Sequence, residues 1–514
     1  MQNSQYFVLE DGSARDDVLE RMKNGLPLTG ERKAARKQLF LDTYDHRLYK
    51  KGFLLTNEDG RLILRDTGDG SCLSLDVHAE GGMPRFCWDL PECPFRDNLR
   101  SVIDVRALLP VVGVESRVTH LNLENEDGKT VAHINFEDVD VGGDGADKKV
   151  IHLLEAVPVR GYAEEFEKLT LYISDLGLAP AEGNMFSIAL GAAGKKAGDY
   201  TSKVSVVLDT GMPSGEALKI ILRSLLETMR KNEDGIVKDI DTEFLHDFRV
   251  AVRRTRSALT LIKGIFPESV KEKFKAEFAV IGRKSNELRD LDIYLLRREE
   301  YTGMLPPALR AGLDPLFEII AREREEAHRE FALELASDSY RRSIGAWEKF
   351  LNEPEAPGDA LPGADAPVIG LAKLRIRKRY RKALKLGKGI DGSSSDRDLH
   401  TLRIECKKLR YYLEFFESLF PAGEIREVIR HLKALQDNLG DYNDMHMQQE
   451  RLKGYISKIN ASENEGRESI AAAGGLISEL YMKQKQIRSE FHGRFEEFAG
   501  EEMKGLFDNL FSGN

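Results

Sequence analysis

Cysteine is scarce in this chain: Cys72, Cys87, Cys93 and Cys406 are the four in 514 residues, and they form neither a CxxC pair nor a zinc-ligand spacing. That excludes a disulfide scaffold and a cysteine-bound metal, and leaves structural thiols in a reducing compartment. Long apolar runs are missing as well. None reaches the ~18 residues of a membrane helix, and residues 1–20 hold no apolar core of the secretory type. The expectation is a cytoplasmic protein with no membrane partner. Charge, by contrast, is abundant at 32 % of residues beside 41 % hydrophobic, the composition of a globular chain with two or three domains.

The net charge of −10 is unevenly spread. Residues 1–200 carry 24 Lys and Arg against 34 Asp and Glu, whereas residues 201–514 carry 52 of each. A neutral segment with dense local clusters segregates its charge in space, and the local field matters more than the sum.

Two stretches repeat each other: His246-x2-Arg249-x3-Arg253-Arg254-x-Arg256 and His400-x2-Arg403-x3-Lys407-Lys408-x-Arg410. Every spacing is kept and the histidines lie 154 residues apart, which marks an internal duplication. At about 100° per residue, His246, Arg249, Arg253 and Arg256 share one side of a helix, against Phe244, Phe248, Ala251, Val252 and Leu259, with Arg254 on a flank. The second copy sets His400, Arg403, Lys407 and Arg410 against Leu399, Leu402, Cys406, Leu409 and Leu413. Solvated helix faces usually alternate Glu with Lys, because like charges at i,i+4 repel. These stripes contain no acid, so they call for an external anion. The segment from Leu371 to Lys388 adds nine cations and no acid, among them Arg375, Lys378, Arg379 and Lys382. Its apolar seam (Leu371, Leu374, Ala383, Leu386) predicts a packed helix that extends the same positive surface.

Residues 1–200 read as short alternating strands split by Asp-Gly turns at 59–60, 69–70 and 127–128, with helices over 14–24 and 163–176. An antiparallel meander closing toward a barrel or tunnel fits that order. A Gly/Ala/Ser-rich linker covers 191–215, and a Pro/Gly/Ala/Asp-rich connector covers 353–367. The predicted helices are 217–233, one capped by Asp241 or Thr242, 270–289, 291–298, 305–337, 369–387, one capped by Asp396 or Asp398, 424–439, 442–461 and 465–499. The fold class is therefore α+β multidomain, a β domain at 1–200 followed by an all-α domain at 214–514 in two repeats (about 214–352 and 368–514). Acids after each stripe (Asp290 and Asp292; Asp437, Asp441 and Asp444) are expected to face the cationic helices and orient guanidinium groups. A catalytic acid–base pair is the alternative; no nucleophile accompanies it.

The doubled His-x2-Arg-x3-basic-basic-x-Arg, with Arg-Asp-Leu-Asp at 289–292 and Leu-Gln-Asp-x-Leu-Gly-Asp-x-Asn-Asp at 435–444, resembles the CHAD (conserved-histidine α-helical domain) family over about 215–510. The resemblance implies two pseudo-symmetric four-helix bundles facing each other over a basic channel that binds inorganic polyphosphate. The positions carried over are His246, Arg249, Arg253, Arg254, Arg256, His400, Arg403, Lys407, Lys408 and Arg410. Residues 39–45, Leu48, Gly52, 105–110, Arg117, 128–130, Leu154-Glu155 and Gly161 resemble the CYTH, or triphosphate tunnel metalloenzyme, family. Active members carry an N-terminal Glu-x-Glu-x-Lys. Here Gln2, Ser4 and Tyr6 stand in those places, Thr56 and Glu58 stand where a basic pair is expected, and Val157 replaces the partner of Glu155. The resemblance thus implies a degenerate domain without the carboxylates that metal-assisted hydrolysis requires.

Polyphosphate carries about one charge per phosphoryl unit and no base, so a site for it needs close donors and no stacking platform. Single-strand nucleic-acid sites add aromatic rings. None lies within either stripe, although Tyr380, Tyr411 and Tyr412 are near. The expected partner is inorganic polyphosphate, in the cytoplasm or at polyphosphate granules, with no cofactor, no metal and no catalytic residue. A phosphoanhydride hydrolase acting through 1–200 and a nucleic-acid scaffold are the alternatives. Each histidine has two readings, as donor to a phosphate oxygen or as a buried ring on a helix carbonyl.

Overall fold

The computed structural model describes residues 4–77, 82–142, 149–261, 264–353, 361–459 and 464–512. Gln2 and positions 354–360 of the expected connector lie outside them. The chain divides into two compact units, Met1–Thr201 and Ser202–Asn514. No helix among the described residues is long and apolar enough to cross a membrane.

The first unit runs β1 (Gln5–Leu9), α1 (Gly12–Gly25), β2 (Leu28–Asp42), α2 (Arg47–Lys50), β3 (Phe53–Glu58), β4 (Arg61–Asp66), β5 (Cys72–Asp76), α3 (Pro94–Ile103), β6 (Leu109–Glu124), β7 (Thr130–Gly142), β8 (Lys149–Pro158), α4 (Ala163–Asp175) and α5 (Met185–Ala192). The strands form one antiparallel sheet in the order β1-β8-β7-β6-β2-β3-β4-β5. Asp59 and Gly60 join β3 to β4 with φ of 50° and 89°, the left-handed pair that an Asp-Gly hairpin turn needs. Among the described residues β1 pairs only with β8 and β5 only with β4, so hydrogen bonds do not close the expected barrel. The tunnel-like character survives, because side chains from β1, β8 and β7 and from β2, β3 and β4 line one cavity. Buried residues of α1 and α4 cover the other face at Phe7, Leu121, Ile134 and Phe136.

The second unit runs α6 (Ser214–Val237), α7 (Thr242–Leu261), α8 (Glu268–Leu296), α9 (Arg298–Met304), α10 (Pro307–Arg310), α11 (Asp314–Ala336), α12 (Asp338–Asn352), α13 (Val368–Lys388), α14 (Asp396–Phe415), α15 (Ala422–Ile456), α16 (Asn464–Ala499) and α17 (Glu501–Phe511). Packing of α6 on α7, α7 on α8 and α8 on α11 is repeated by α13 on α14, α14 on α15 and α15 on α16. The last helix of each set, α12 or α17, returns to the first. The 154-residue offset also meets across the repeats: Pro213 bridges Pro367, and Tyr294 Oη donates to the carbonyl of Gln448 at 2.8 Å.

Helix ends differ from the reading of the sequence where packing outweighs local signals. A break was expected at Gly440, yet α15 runs unbroken, because Leu435, Leu439, Tyr442 and Met445 are all buried. Burying them outweighs the ~1 kcal/mol that a helical glycine costs. Likewise α8 continues to Leu296 through Leu291 and Tyr294. Asp241 caps α7, accepting from Glu243 N at 2.9 Å, as expected. For α14 the cap is Ser395, in a reciprocal box with Asp398, and not Asp396 or Asp398.

One packing contact fixes α13 on α16. A Cβ on Gly387 would stand 1.9 Å from Phe495 Cε2. Gly387→Ala is therefore expected to destabilise the fold by about 1–3 kcal/mol through overpacking, although alanine is the better helix former. A lowered denaturant midpoint checks it.

Candidate anion-binding site

Positions 246–256 and 400–410 each begin a helix that buries its apolar side, so the cations project together. On α7, Phe244, Phe248, Ala251 and Val252 are buried; on α14, Leu399, Leu402, Cys406 and Leu409 are buried. Arg253, 154 residues before Lys407, acts on both Lys407 and Arg403. It also lies with His246 and Arg249 on its own helix. The stripes thus meet, and neither Arg253 nor Lys407 forms an ion pair among the described residues.

The protonation states reflect crowded like charge. Burial, then Arg403 and Arg253, push Lys407 down to about 7. Burial and Arg289 push His246 down to about 4, so its ring is neutral; it makes no hydrogen bond among the described residues, which does not favour a ring held on a helix carbonyl. Arg249 is pushed down to about 10 by burial, and its Nη1 is buried without a hydrogen-bond acceptor. The Nε of Arg403 is in the same position. Each of these buried N–H groups lies without an acceptor, a cost that adds to the like-charge repulsion at this spot.

Other expected residues are placed differently. Arg254 is buried, donating to Glu414 Oε2 at 2.6 Å and to the carbonyl of Ser202 at 2.8 Å. Lys408, Arg379 and Lys382 converge on one carboxylate, Glu405, which is 4 % exposed. These four serve as internal ties, because a buried acid, Glu405, or a half-buried one, Glu414, holds each of them. Arg410 is intermediate: its Nε pairs with Glu414 at 2.8 Å while it acts on Lys407. Arg256 is exposed on α7 and packs beside Gly282 of α8. Lys378 is exposed on α13, and Arg375 of that helix is half-buried. His400 is exposed and shares a 2.7 Å hydrogen bond with Asn443 Oδ1.

Of the acids, Asp444 meets Arg403 at 3.3 Å, and Asp290 acts on Arg249 while pairing with Arg451 at 3.5 Å. Asp290 and Asp444 are 154 apart and repel each other. The other three have their partners elsewhere, although Asp292 still acts on Arg249 of α7. Asp292, 1 % exposed, bonds Arg324 of α11 at 2.9 Å. Asp437 and Asp441 line a pocket with Asn438, Glu490 and Arg494. Helical period explains this, since Asp292 sits two residues beyond Asp290, on the opposite side of α8. Arg289, read only as the first residue of Arg-Asp-Leu-Asp at 289–292, and Arg451 also act on the site and were not singled out, because neither belongs to the repeated His-x2-Arg stretch.

In the first unit, Ser4, Tyr6, Thr56, Glu155 and Val157 line a cavity of ≈ 520 Å³, joined by Arg36, Arg65 and Glu137, which the sequence did not single out. Glu58 instead accepts from Gln38 Nε2 at 2.7 Å. Glu137 and Glu155 are the acids lining the cavity. Glu155 is already engaged by Tyr6 Oη and Asn135 Nδ2, both at 2.8 Å. Burial and Glu155 push Glu137 up to about 7. With one carboxylate engaged by Tyr6 and Asn135 and the other held up toward neutrality, this donor set is poorly suited to a divalent cation, which prefers ionised carboxylates with free oxygens.

The CHAD domain family matches residues 220–453. Among solved structures, the chain is similar to the CHAD domain from the plant Ricinus communis, at 24 % identity and TM-score 0.47 over 57 % of this chain and 96 % of that one. PptA from Streptomyces chartreusis is similar at 16 % identity and TM-score 0.43, over 55 % and 100 %. HpAC1 from Hippeastrum, described as having a dominant triphosphatase activity, is similar at 13 % identity and TM-score 0.28, over 38 % and 97 %. None of the curated proteins matches this chain.

Proposed function

The second unit carries a CHAD domain at residues 220–453, and from that premise we propose that it binds inorganic polyphosphate along the joined cations of α7 and α14, as a receptor and not as a catalyst. The carrying observation is the proximity of Arg253 to Arg403 and Lys407, with neither Arg253 nor Lys407 in an ion pair among the described residues and Asp444 the one acid that acts on Lys407 against three cations. Self-repulsion at that spot opposes the free protein and is relieved by a polyanion. Inorganic polyphosphate fits better than nucleic acid, because Tyr380, Tyr411 and Tyr412 are 6 %, 4 % and 1 % exposed and offer no free ring face to a base. The cytoplasm and polyphosphate granules are the places such a ligand would be met.

Titration with polyphosphates of defined length tests the reading. Saturable binding is expected at moderate salt, with log K falling linearly as log salt rises. Polyphosphate should displace RNA readily; RNA displacing polyphosphate would overturn the assignment. Silence toward tripolyphosphate with Mg²⁺ or Mn²⁺ is the matching expectation for the first unit.

Binding should also take up a proton. Free Lys407 is half-ionised near pH 7, below its ordinary 10.5, and a bound phosphoryl group raises that value again. Affinity is therefore expected to fall as pH rises above 7, by at most about tenfold per unit. Calorimetry in buffers of unequal ionisation heat reads the uptake, which Lys407→Arg should abolish. The fold itself responds oppositely: the unfolded chain binds the extra proton between pH 7 and 10.5, so this group's contribution to stability rises with pH there.

A further inference from the structure

A second cluster of ligand-bearing side chains lies away from both cationic stripes, where α17 packs against α15. Glu427 and His431 are four residues apart on α15, so one turn of helix stacks them on a single side. That side flanks Ile425, Val428 and Leu432, which are buried. Glu502 comes from the first turn of α17. Its neighbour Met503 is buried, as are Phe507, Leu510 and Phe511. Phe507 stacks on Tyr380 of α13 with ring centroids 3.7 Å apart, and Phe511 meets Phe420 at 4.9 Å. Packing therefore fixes where the two helices stand, and with them where their side chains meet. One ligand atom from each of Glu427, His431 and Glu502 lies within 4.8 Å of the other two, the one such group of three among the described residues. Arg430 marks the point of convergence. Its Nη2 donates to Glu427 Oε1 at 3.1 Å and to His431 Nε2 at 3.4 Å. A guanidinium can only donate, so Nε2 of His431 carries its lone pair, the form in which imidazole binds a metal.

Two carboxylates and one imidazole, brought together from two helices, are a donor set for a transition metal. Zinc takes both kinds of ligand at about 2.0–2.2 Å, which sets tetrahedral neighbours roughly 3.3–3.6 Å apart. Glu502 is exposed, so a change of its rotamer can close the distance from 4.8 Å. Calcium and magnesium fit less well. The first takes about six to eight oxygens, the second an octahedron of oxygens and water, and neither suits imidazole. We propose that Glu427, His431 and Glu502 hold one divalent ion of the zinc class, which ties α17 to α15 and locks the last helix of the second repeat in place. The ion displaces the guanidinium of Arg430, whose side chain is 71 % exposed and whose pair with Glu427 contributes little. Three protein ligands leave a position open to water. The first repeat has no equivalent pair on α8, since Lys273 and Glu277 stand 154 residues before Glu427 and His431. The site departs from the expected absence of a metal, because only the fold brings α17 beside α15. It uses neither histidine of the doubled motif and is independent of the polyphosphate reading.

The test is calorimetric titration of the tag-free full chain with Zn²⁺, Mg²⁺ and Ca²⁺ separately, without polyphosphate, which itself chelates them. Zn²⁺ is expected to bind one-to-one and to raise the melting temperature by several degrees, because it binds the folded chain and not the unfolded one. Mg²⁺ and Ca²⁺ should do neither. His431→Ala and Glu502→Gln should each weaken Zn²⁺ binding by at least about tenfold, since loss of even an outer partner of a ligand costs that much. Neither side chain is buried, so metal-free melting temperatures matching the parent show that the variants fold. Cys72→Ser removes an exposed thiol and should leave binding unchanged. No binding of Zn²⁺ overturns the proposal. So does binding of equal strength in the parent and either ligand variant, or binding lost only with Cys72.

Discussion

Replacing Arg253 and Lys407 together by glutamate is expected to weaken polyphosphate binding by two to four orders of magnitude at about 0.15 M salt. Each charge-assisted hydrogen bond to a phosphoryl oxygen contributes roughly 1.5–3 kcal/mol, and two are lost. Reversal also places carboxylates where the chain of phosphates must pass, so the upper part of that range applies. The fold should persist. Arg253 is exposed, and a glutamate at 407 gains Arg403 and Arg410 as neighbours. Lys378 and Lys385, exposed on the solvent side of α13, provide the control. Their reversal removes only screened, long-range attraction and should cost a few-fold at most, vanishing at high salt. Equal losses from both pairs would mean that the ligand sees diffuse charge and no defined trough.

What the sequence disclosed depended on how periodic the signal was. The two stripes were legible because an apolar side and an acid-free side repeat at helical spacing, and because the same five polar positions recur 154 residues later. Burial of Phe248 and Leu402 behind exposed Arg253 follows directly from that pattern. Which cations remain free was not legible. Arg253 and Arg254 are adjacent and chemically identical, yet one faces the trough and the other meets Glu414, a residue 160 positions away in another helix. Glu405 likewise gathers Arg379, Lys382 and Lys408 from two helices. A partner as distant as Glu414 leaves no local trace at Arg254, although Glu405 lies only three residues from Lys408. The same holds in the first unit, where Arg36, Arg65 and Glu137 share a cavity only because strands far apart in sequence curl around it. Motif-by-motif reading registered missing residues there and overlooked those that topology brings in.

Glu414 allows the largest separation of structure from binding. Its Oε2 accepts from Arg254 of α7 and its Oε1 from Arg410 of its own helix, at 2.6 and 2.8 Å, so one carboxylate ties the two repeats. Arg254 is 5 % exposed, and its Nε has no acceptor even with Glu414 present. Glu414→Leu would leave that guanidinium buried and uncompensated, at an expected cost of about 3–5 kcal/mol. Arg254→Met removes the charge along with its partner's need for it, since Arg410 still holds Glu414, and should cost less. The double variant should regain much of the loss, because a well-packed apolar pair replaces a buried ion pair at little net cost. Unfolding midpoints of the four species close this cycle, and a coupling below about 1 kcal/mol would show that the pair is not the tie described. Polyphosphate titrations of the same four proteins give the complementary reading. Among molecules that remain folded, loss of Glu414 should tighten binding slightly by removing a negative charge beside Arg410, whereas a ligand-binding role for Arg254 would weaken it.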